Sequence, residues 1–168
     1  MKLALVQLNP TVGDIDGNTA RILAALDEAR RGGAALAVLP EQAIIGYPAK
    51  DLLLRREIVA RNVAALERIA AATDGLGVLI GYAEPNEQAW GRPVFNSAAL
   101  IDGGRVVARW RKRLLPNYDV FDEARYFEPA GPQPVVAFRG RRLGVSICED
   151  LLAQSLLGKP LYQCDPVA

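Results

Sequence analysis

The opening of the chain constrains its fold most. Lys2 to Leu8 reads as a short apolar strand, with Leu3, Leu5 and Gln7 on one face and Ala4, Val6 and Leu8 on the other. Pro10 and Gly13 stop it. Asp14-Ile15-Asp16-Gly17-Asn18 then supplies turn chemistry and candidate helix N-caps. Thr19 to Arg31 carries apolar residues at helical spacing, Ile22, Leu23, Leu26 and Ala29. Gly32-Gly33 ends that helix. Ala35 to Leu39 is apolar on both faces, as a strand inside a parallel sheet is. Strand, helix and buried strand in this order predict a βαβ unit, and so an α/β fold.

The remaining pattern enlarges the sheet. A second helix is expected from about Asp51 to Ala72, with Ile58, Val59, Val63, Leu66, Ile69 and Ala70 on its apolar stripe. Gly77 to Ala83 reads as a third strand. Phe95 to Ile101 and Arg105 to Trp110 flank Asp102-Gly103-Gly104, a strong hairpin signal. The irregular stretch Arg111 to Gln133 holds Tyr118, Phe121, Tyr126 and Phe127, so it is expected to pack rather than trail in solvent. Pro134 to Phe138 and Arg142 to Ile147 form a second hairpin over Arg139-Gly140. The sum predicts a mixed sheet with helices on a face.

Composition removes several function classes. The 168 residues fit one domain, and 51% hydrophobic against 23% charged residues can build a core. Twenty basic and 19 acidic residues leave a net charge of +1, which gives no support to a nucleic-acid partner. Met1-Lys2 leads straight into a strand, so no signal peptide is expected, and no apolar run has the length of a membrane span. A cytoplasmic location with reduced thiols is the simplest reading of two cysteines, Cys148 and Cys164. The chain has no histidine. No Ser-His or Cys-His site can form within it, and no metal site is expected.

Candidate chemistry sits where strands end. In Val145-Ser146-Ile147-Cys148-Glu149-Asp150 a thiol closes an apolar strand just before a helical segment. Glu41 follows the second strand and Lys112 follows the fifth. Taken singly, Cys148 reads as a small buried hydrophobe, Glu41 as a loop acid and Lys112 as part of a solvated basic edge. Together they have a logic. A thiol nucleophile without histidine needs a carboxylate or amine as base, and an acyl-transfer oxyanion needs a positive charge. An ammonium near the thiol would lower its pKa, and Glu149 would oppose that.

These stretches resemble a known family. Leu39-Pro40-Glu41, the Lys112 segment and Val145 to Asp150 are similar to the Glu-Lys-Cys sites of the nitrilase, or carbon–nitrogen hydrolase, superfamily. The branch most resembled is the glutaminase domain of glutamine-dependent NAD synthetases. The resemblance rests on Leu39 to Pro48 with Asp51 to Arg55, on Leu5 to Asp14, and on the long run Lys112 to Phe127. It implies an α-β-β-α sandwich. It implies Glu41 as general base, Lys112 as oxyanion stabiliser and Cys148 as nucleophile toward L-glutamine. It also implies Tyr47, Tyr118, Phe121 and Glu149 on the substrate side. Ammonia would pass to a synthetase domain that amidates deamido-NAD.

The departures shape three further expectations. The chain ends at Ala168, so only the N-terminal part of the sandwich is expected over residues 1–151, with its second half missing. Residues 152–168 do not look like the family, since Leu152 stands where an aromatic is expected. No SGGxDS-type pyrophosphate motif occurs, so the synthetase domain is absent and ATP and magnesium are expected only for that domain. Half a sandwich would leave strand edges and an apolar sheet face uncovered. A homo-oligomer, a partner chain or a non-catalytic half-domain is one outcome of that; a stand-alone amidase is another reading within the superfamily.

Overall fold

In the computed structural model, described for residues 1–152, 155–156 and 159–166, a mixed sheet carries two helices on one face. The strands are β1 (Leu3–Leu5), β2 (Leu36–Val38), β3 (Gly77–Pro85), β4 (Val94–Asp102) and β5 (Arg105–Arg111). They lie side by side in chain order. The pairs β1–β2 and β2–β3 are parallel, while β3–β4 and β4–β5 are antiparallel. The βαβ opening and the glycine-turn hairpin are therefore both present. Gly103 and Gly104 take φ of +57° and +76°, which suits the tight turn between β4 and β5.

The helices differ from expectation at their starts. α1 spans Ile15–Arg31, four residues longer at its N-terminus than its apolar stripe predicts. Asp14 is the reason: its Oδ1 accepts from the Gly17 amide at 3.0 Å and caps the first turn. α2 spans only Arg56–Ala71. The segment before it is a 3-10 turn, Lys50–Leu54, and Arg55 between them is extended (φ −95°, ψ 109°). Ile22 and Leu26 of α1 meet Leu66 and Ile69 of α2 over Val78, Ile80 and Ile101 of the sheet. This cluster is the main core.

The opposite sheet face is covered by a hairpin, β6 (Val136–Phe138) with β7 (Arg141–Leu143). Phe138, Val136 and Leu143 pack there against Leu36, Leu100 and Trp110. The Trp110 indole N–H donates to the Pro134 carbonyl at 2.7 Å. Leu3 and Leu5, on the β1 face away from the helices, are 50% and 72% exposed. Among the described residues there is one helix layer, one full sheet and the two-stranded hairpin of a second. That is the partial sandwich the resemblance implies.

The strand expected to run from Arg142 to Ile147 stops at Leu143. Gly144 to Ile147 find no partner strand among the described residues, and a strand without a ladder is only extended chain. The segment Arg111 to Gln133 packs, as its aromatics predict: Tyr126 and Phe127 are buried against Ile45, Leu53 and Val94. Of the expected tail, β8 (Ser155–Leu156) pairs antiparallel with β9 (Lys159–Pro160). Residues 153, 154, 157, 158, 167 and 168 lie outside the described residues.

Candidate active site

Three loops converge at the ends of β2, β5 and β7. The first begins at Pro40. It crosses β3 so closely that a Cβ on Gly81 would stand 2.5 Å from the Gln42 nitrogen and 2.7 Å from the Glu41 Cα. Only glycine fits there. Gln42 itself is left-handed (φ +51°), and the Asn18 amide from α1 donates to the Ile44 carbonyl at 2.9 Å, fixing the loop from its other side. Glu41 is thereby aimed past the sheet edge.

The second loop starts at Lys112, whose backbone N–H donates to the Asn96 carbonyl at 2.8 Å. Its side chain is fully buried. The ammonium is no solvated basic edge: Nζ donates to Glu41 Oε1 at 2.8 Å and to Glu123 Oε1 at 2.9 Å. Burial pulls its pKa down, but the two carboxylates outweigh that, and the net shift is upward. Lys112 is a permanent cation here.

The third loop carries Cys148, the first residue of a 3-10 turn, Cys148–Leu151, in a left-handed conformation (φ +47°). Such a conformation costs a non-glycine residue about 1 kcal/mol or more and is kept only where surroundings impose it. Asp150 imposes it. Its Oδ1 accepts from the Arg113 and Leu114 amides at 3.0 and 2.9 Å, and its Oδ2 from the Ile147 amide at 3.1 Å. One carboxylate thus ties the cysteine turn to the lysine loop.

Cys148 is exposed, not a buried hydrophobe. Its thiol lies beside Glu41, with which it lines one cleft. The balance that the sequence left open between Lys112 and the nearby acid falls on the side of a raised thiol pKa. Desolvation is the largest influence and pushes it up, the Glu41 charge adds to that, and Lys112 only partly offsets them. The acids working against the thiolate are Glu41 first and Glu123 after it, from across the site rather than from the next position in sequence. A neutral thiol beside a carboxylate suits attack coupled to proton transfer. A cleft of about 130 Å³ opens beside the pair, lined by Glu41, Gly81, Ser97, Ala98, Ile147 and Cys148.

The residues expected on the substrate side lie together as well. Tyr118 stacks edge-on to Phe121 at 5.7 Å, and Phe121 lies 6.4 Å from the Tyr47 ring. The Tyr118 hydroxyl donates to both oxygens of Glu149, at 3.0 and 2.9 Å, and Glu149 is buried. Tyr162, from the stretch set apart as unlike the family, also donates to Glu149 Oε1, at 2.8 Å. Tyr47 differs in one respect: its hydroxyl donates to Glu123 Oε1 at 2.9 Å, so it braces the lysine's second carboxylate.

Glu123, Asn96 and Asp150 were not singled out by sequence reasoning. Glu123 and Asp150 lie inside the stretches that carry the resemblance. Their burial, 3% exposed each, is the signal, because a buried carboxylate requires a partner, and burial is invisible in sequence. Burial raises the Glu123 pKa, with Lys112 opposing and Glu41 reinforcing the rise. Among the described residues no group of three or more His, Cys, Asp or Glu is arranged to hold a metal, and no helix is long and apolar enough to cross a membrane.

Comparison with known proteins agrees with this geometry. The carbon-nitrogen hydrolase family model matches residues 2–157. A glutamine-dependent NAD(+) synthetase of Xylella fastidiosa is 44% identical over 154 residues, which is 90% of this chain and 28% of that protein. The solved structure of glutamine-dependent NAD+ synthetase from Acinetobacter baumannii superposes with a TM-score of 0.83 at 36% identity, covering 90% of this chain and 28% of that one. An amidase of the nitrilase superfamily from Nesterenkonia gives a TM-score of 0.78 at 26% identity, covering 90% and 57%. The chain spans 28% of the length of these synthetases. A family match over most of the chain, on a fold that sets Glu41 beside Cys148 in one cleft and bonds it to Lys112, means that the chain belongs to the carbon–nitrogen hydrolase family.

Proposed function

We propose that this chain is the glutamine-hydrolysing part of a glutamine-dependent NAD synthetase, acting in the cytoplasm on L-glutamine. The observation that carries the reading is Cys148 beside Glu41 in one cleft, with Glu41 bonded to Lys112, in a chain so similar to those synthetases. Ammonia would go to a synthetase domain outside this chain that amidates deamido-NAD. ATP and magnesium would serve that domain.

Cys148 Sγ attacks the side-chain amide carbon of glutamine while Glu41 takes the thiol proton. Lys112 and Asn96 both donate to Glu41 Oε1, so Oε2 is the oxygen left to receive it. The tetrahedral oxyanion is stabilised by the Lys112 ammonium. Glu41 returns the proton to the departing nitrogen, ammonia leaves, and a thioester remains on Cys148. A water then gives its proton to Glu41 and attacks the thioester. Glutamate departs and the thiol recovers its proton. Glu149, a buried carboxylate next to the nucleophile, suits the α-ammonium of an amino acid, with Tyr118 and Phe121 walling the side chain.

The test is glutamate release from L-glutamine by the purified chain, compared with Cys148→Ala. Wild-type turnover that Cys148→Ala abolishes supports the reading. Equal rates overturn it and leave a non-catalytic half-domain. The amidase neighbour gives a second reading: turnover of short aliphatic amides but not of glutamine would favour a stand-alone amidase.

A further inference from the structure

We propose that Asn96, anchored by Gln42, is the positioning residue that orients Glu41 toward the Cys148 thiol. The inference rests on the reading of Glu41 as base. Asn96 sits on β4 opposite Ala83 and is 1% exposed. Its Nδ2 donates to Glu41 Oε1 at 2.6 Å. Its backbone carbonyl accepts the Lys112 N–H, so one residue touches both the base and the cation.

The direction of the amide is not arbitrary. Gln42 Nε2 donates to Asn96 Oδ1 at 2.7 Å and to the Tyr82 carbonyl at 3.1 Å. Gln42 is 1% exposed, and its left-handed backbone turns its side chain under the sheet edge while Glu41 points outward. With Oδ1 occupied by a donor, Asn96 can present only N–H groups to Glu41. Two donors, Asn96 and Lys112, then hold Oε1 on one side, which leaves Oε2 for the thiol. Lys112 alone would not define the carboxylate plane, because its ammonium is a point charge shared with Glu123.

Asn96 touches neither the thiol nor the substrate cleft's reacting atoms, so its effect runs through Glu41. The titratable groups facing Glu41 are Lys112 and Glu123 from the loop after β5 and Cys148 from the third loop, with the Tyr47 hydroxyl nearby. Replacing Asn96 by leucine removes one donor from an ionised carboxylate. The ionised form is then less favoured, and the acid limb of the pH–rate profile moves to higher pH.

The experiment compares wild type, Asn96→Leu and Asn96→Asp as full chains. Glutamate release is measured across pH. Alkylation of Cys148 by iodoacetamide is followed in parallel by peptide mass spectrometry, which counts Cys164 separately. Asn96→Leu should lower kcat about 100-fold with KM held, as small misplacements of a reacting group do. Its acid limb should move up in both reactions. Asn96→Asp keeps the acceptor for Gln42 but sets a second carboxylate against Glu41, and it should move the limb further. It has the shape of asparagine, so it carries the test if the leucine variant does not fold. A lowered Tm with an unmoved acid limb would assign Asn96 to the fold alone and overturn the proposal. If wild type releases no glutamate, the function proposed above fails, while the alkylation profiles still decide whether Asn96 orients Glu41.

Discussion

Lys112→Met tests the electrostatic centre of the site. The Lys112 ammonium is buried between two carboxylates at 2.8 and 2.9 Å. Each contact is worth about 6 kcal/mol of Coulomb attraction at an effective dielectric near 20. Desolvation of the three charges cancels most of this, so the cluster contributes little net stability while intact. Removing the cation is different. Methionine fills the space, but Glu41 and Glu123 are left facing each other in a confined site, and breaking a buried ion pair costs about 3–5 kcal/mol. For a chain of this size that lowers Tm by roughly 6–20 °C. The penalty has a pH signature. Without Lys112, Glu123, whose pKa burial already raises, is pushed higher still. A carboxylate whose folded pKa exceeds its unfolded value stabilises the fold below that range, and this is lost as pH rises through the folded pKa. The deficit of Lys112→Met against wild type therefore shrinks as pH is lowered from about 8 to about 5. Urea unfolding at both pH values measures it. Adding Glu123→Gln to Lys112→Met should recover at least about 1 kcal/mol at the higher pH by removing one of the two charges. A variant within about 1 kcal/mol of wild type, or a deficit that ignores pH, would refute the picture of a buried charge cluster.

Two further perturbations probe how the loops are held. Gly81→Ala drives a methyl into the Glu41–Gln42 backbone. It should cost about 1–3 kcal/mol by overpacking in thermal unfolding and lower glutamate release about 100-fold by moving Glu41. Asp150→Ala leaves the Arg113, Leu114 and Ile147 amides without their acceptor, so urea unfolding should show a loss of at least about 2 kcal/mol. Hydrogen exchange should rise at Leu114 and Ile147 together, since one carboxylate serves both loops.

Much of this was legible because local patterns and tertiary outcome agree. The apolar alternation of Lys2 to Leu8 set Ala4, Val6 and Leu8 on one face, and all three pack against the helix-side core. Asp102-Gly103-Gly104 could adopt its turn wherever it sat. The three strand-end residues came together because a sheet delivers its loops to its ends. Two expectations failed because periodicity along the chain shows neither pairing nor a break. The strand to Ile147 lacked a partner to pair with, and the start of α2 was broken at Arg55 by an extended residue that periodicity cannot show.

The sequence by itself determined the α/β class, because periodicity is written along the chain, and its resemblance to carbon–nitrogen hydrolases drew out Glu41, Lys112 and Cys148 as candidates. Only the tertiary structure decided the state of those groups. The thiol pKa rises first because the folded chain desolvates it and then because Glu41 stands beside it. Lys112 needs Glu123, Glu41 needs Asn96, and Asp150 of the cysteine turn needs the Arg113 amide, over separations of 11, 55 and 37 residues. Burial strengthens a charge's influence on its nearest groups in space, and which groups those are is settled only when the chain closes on itself.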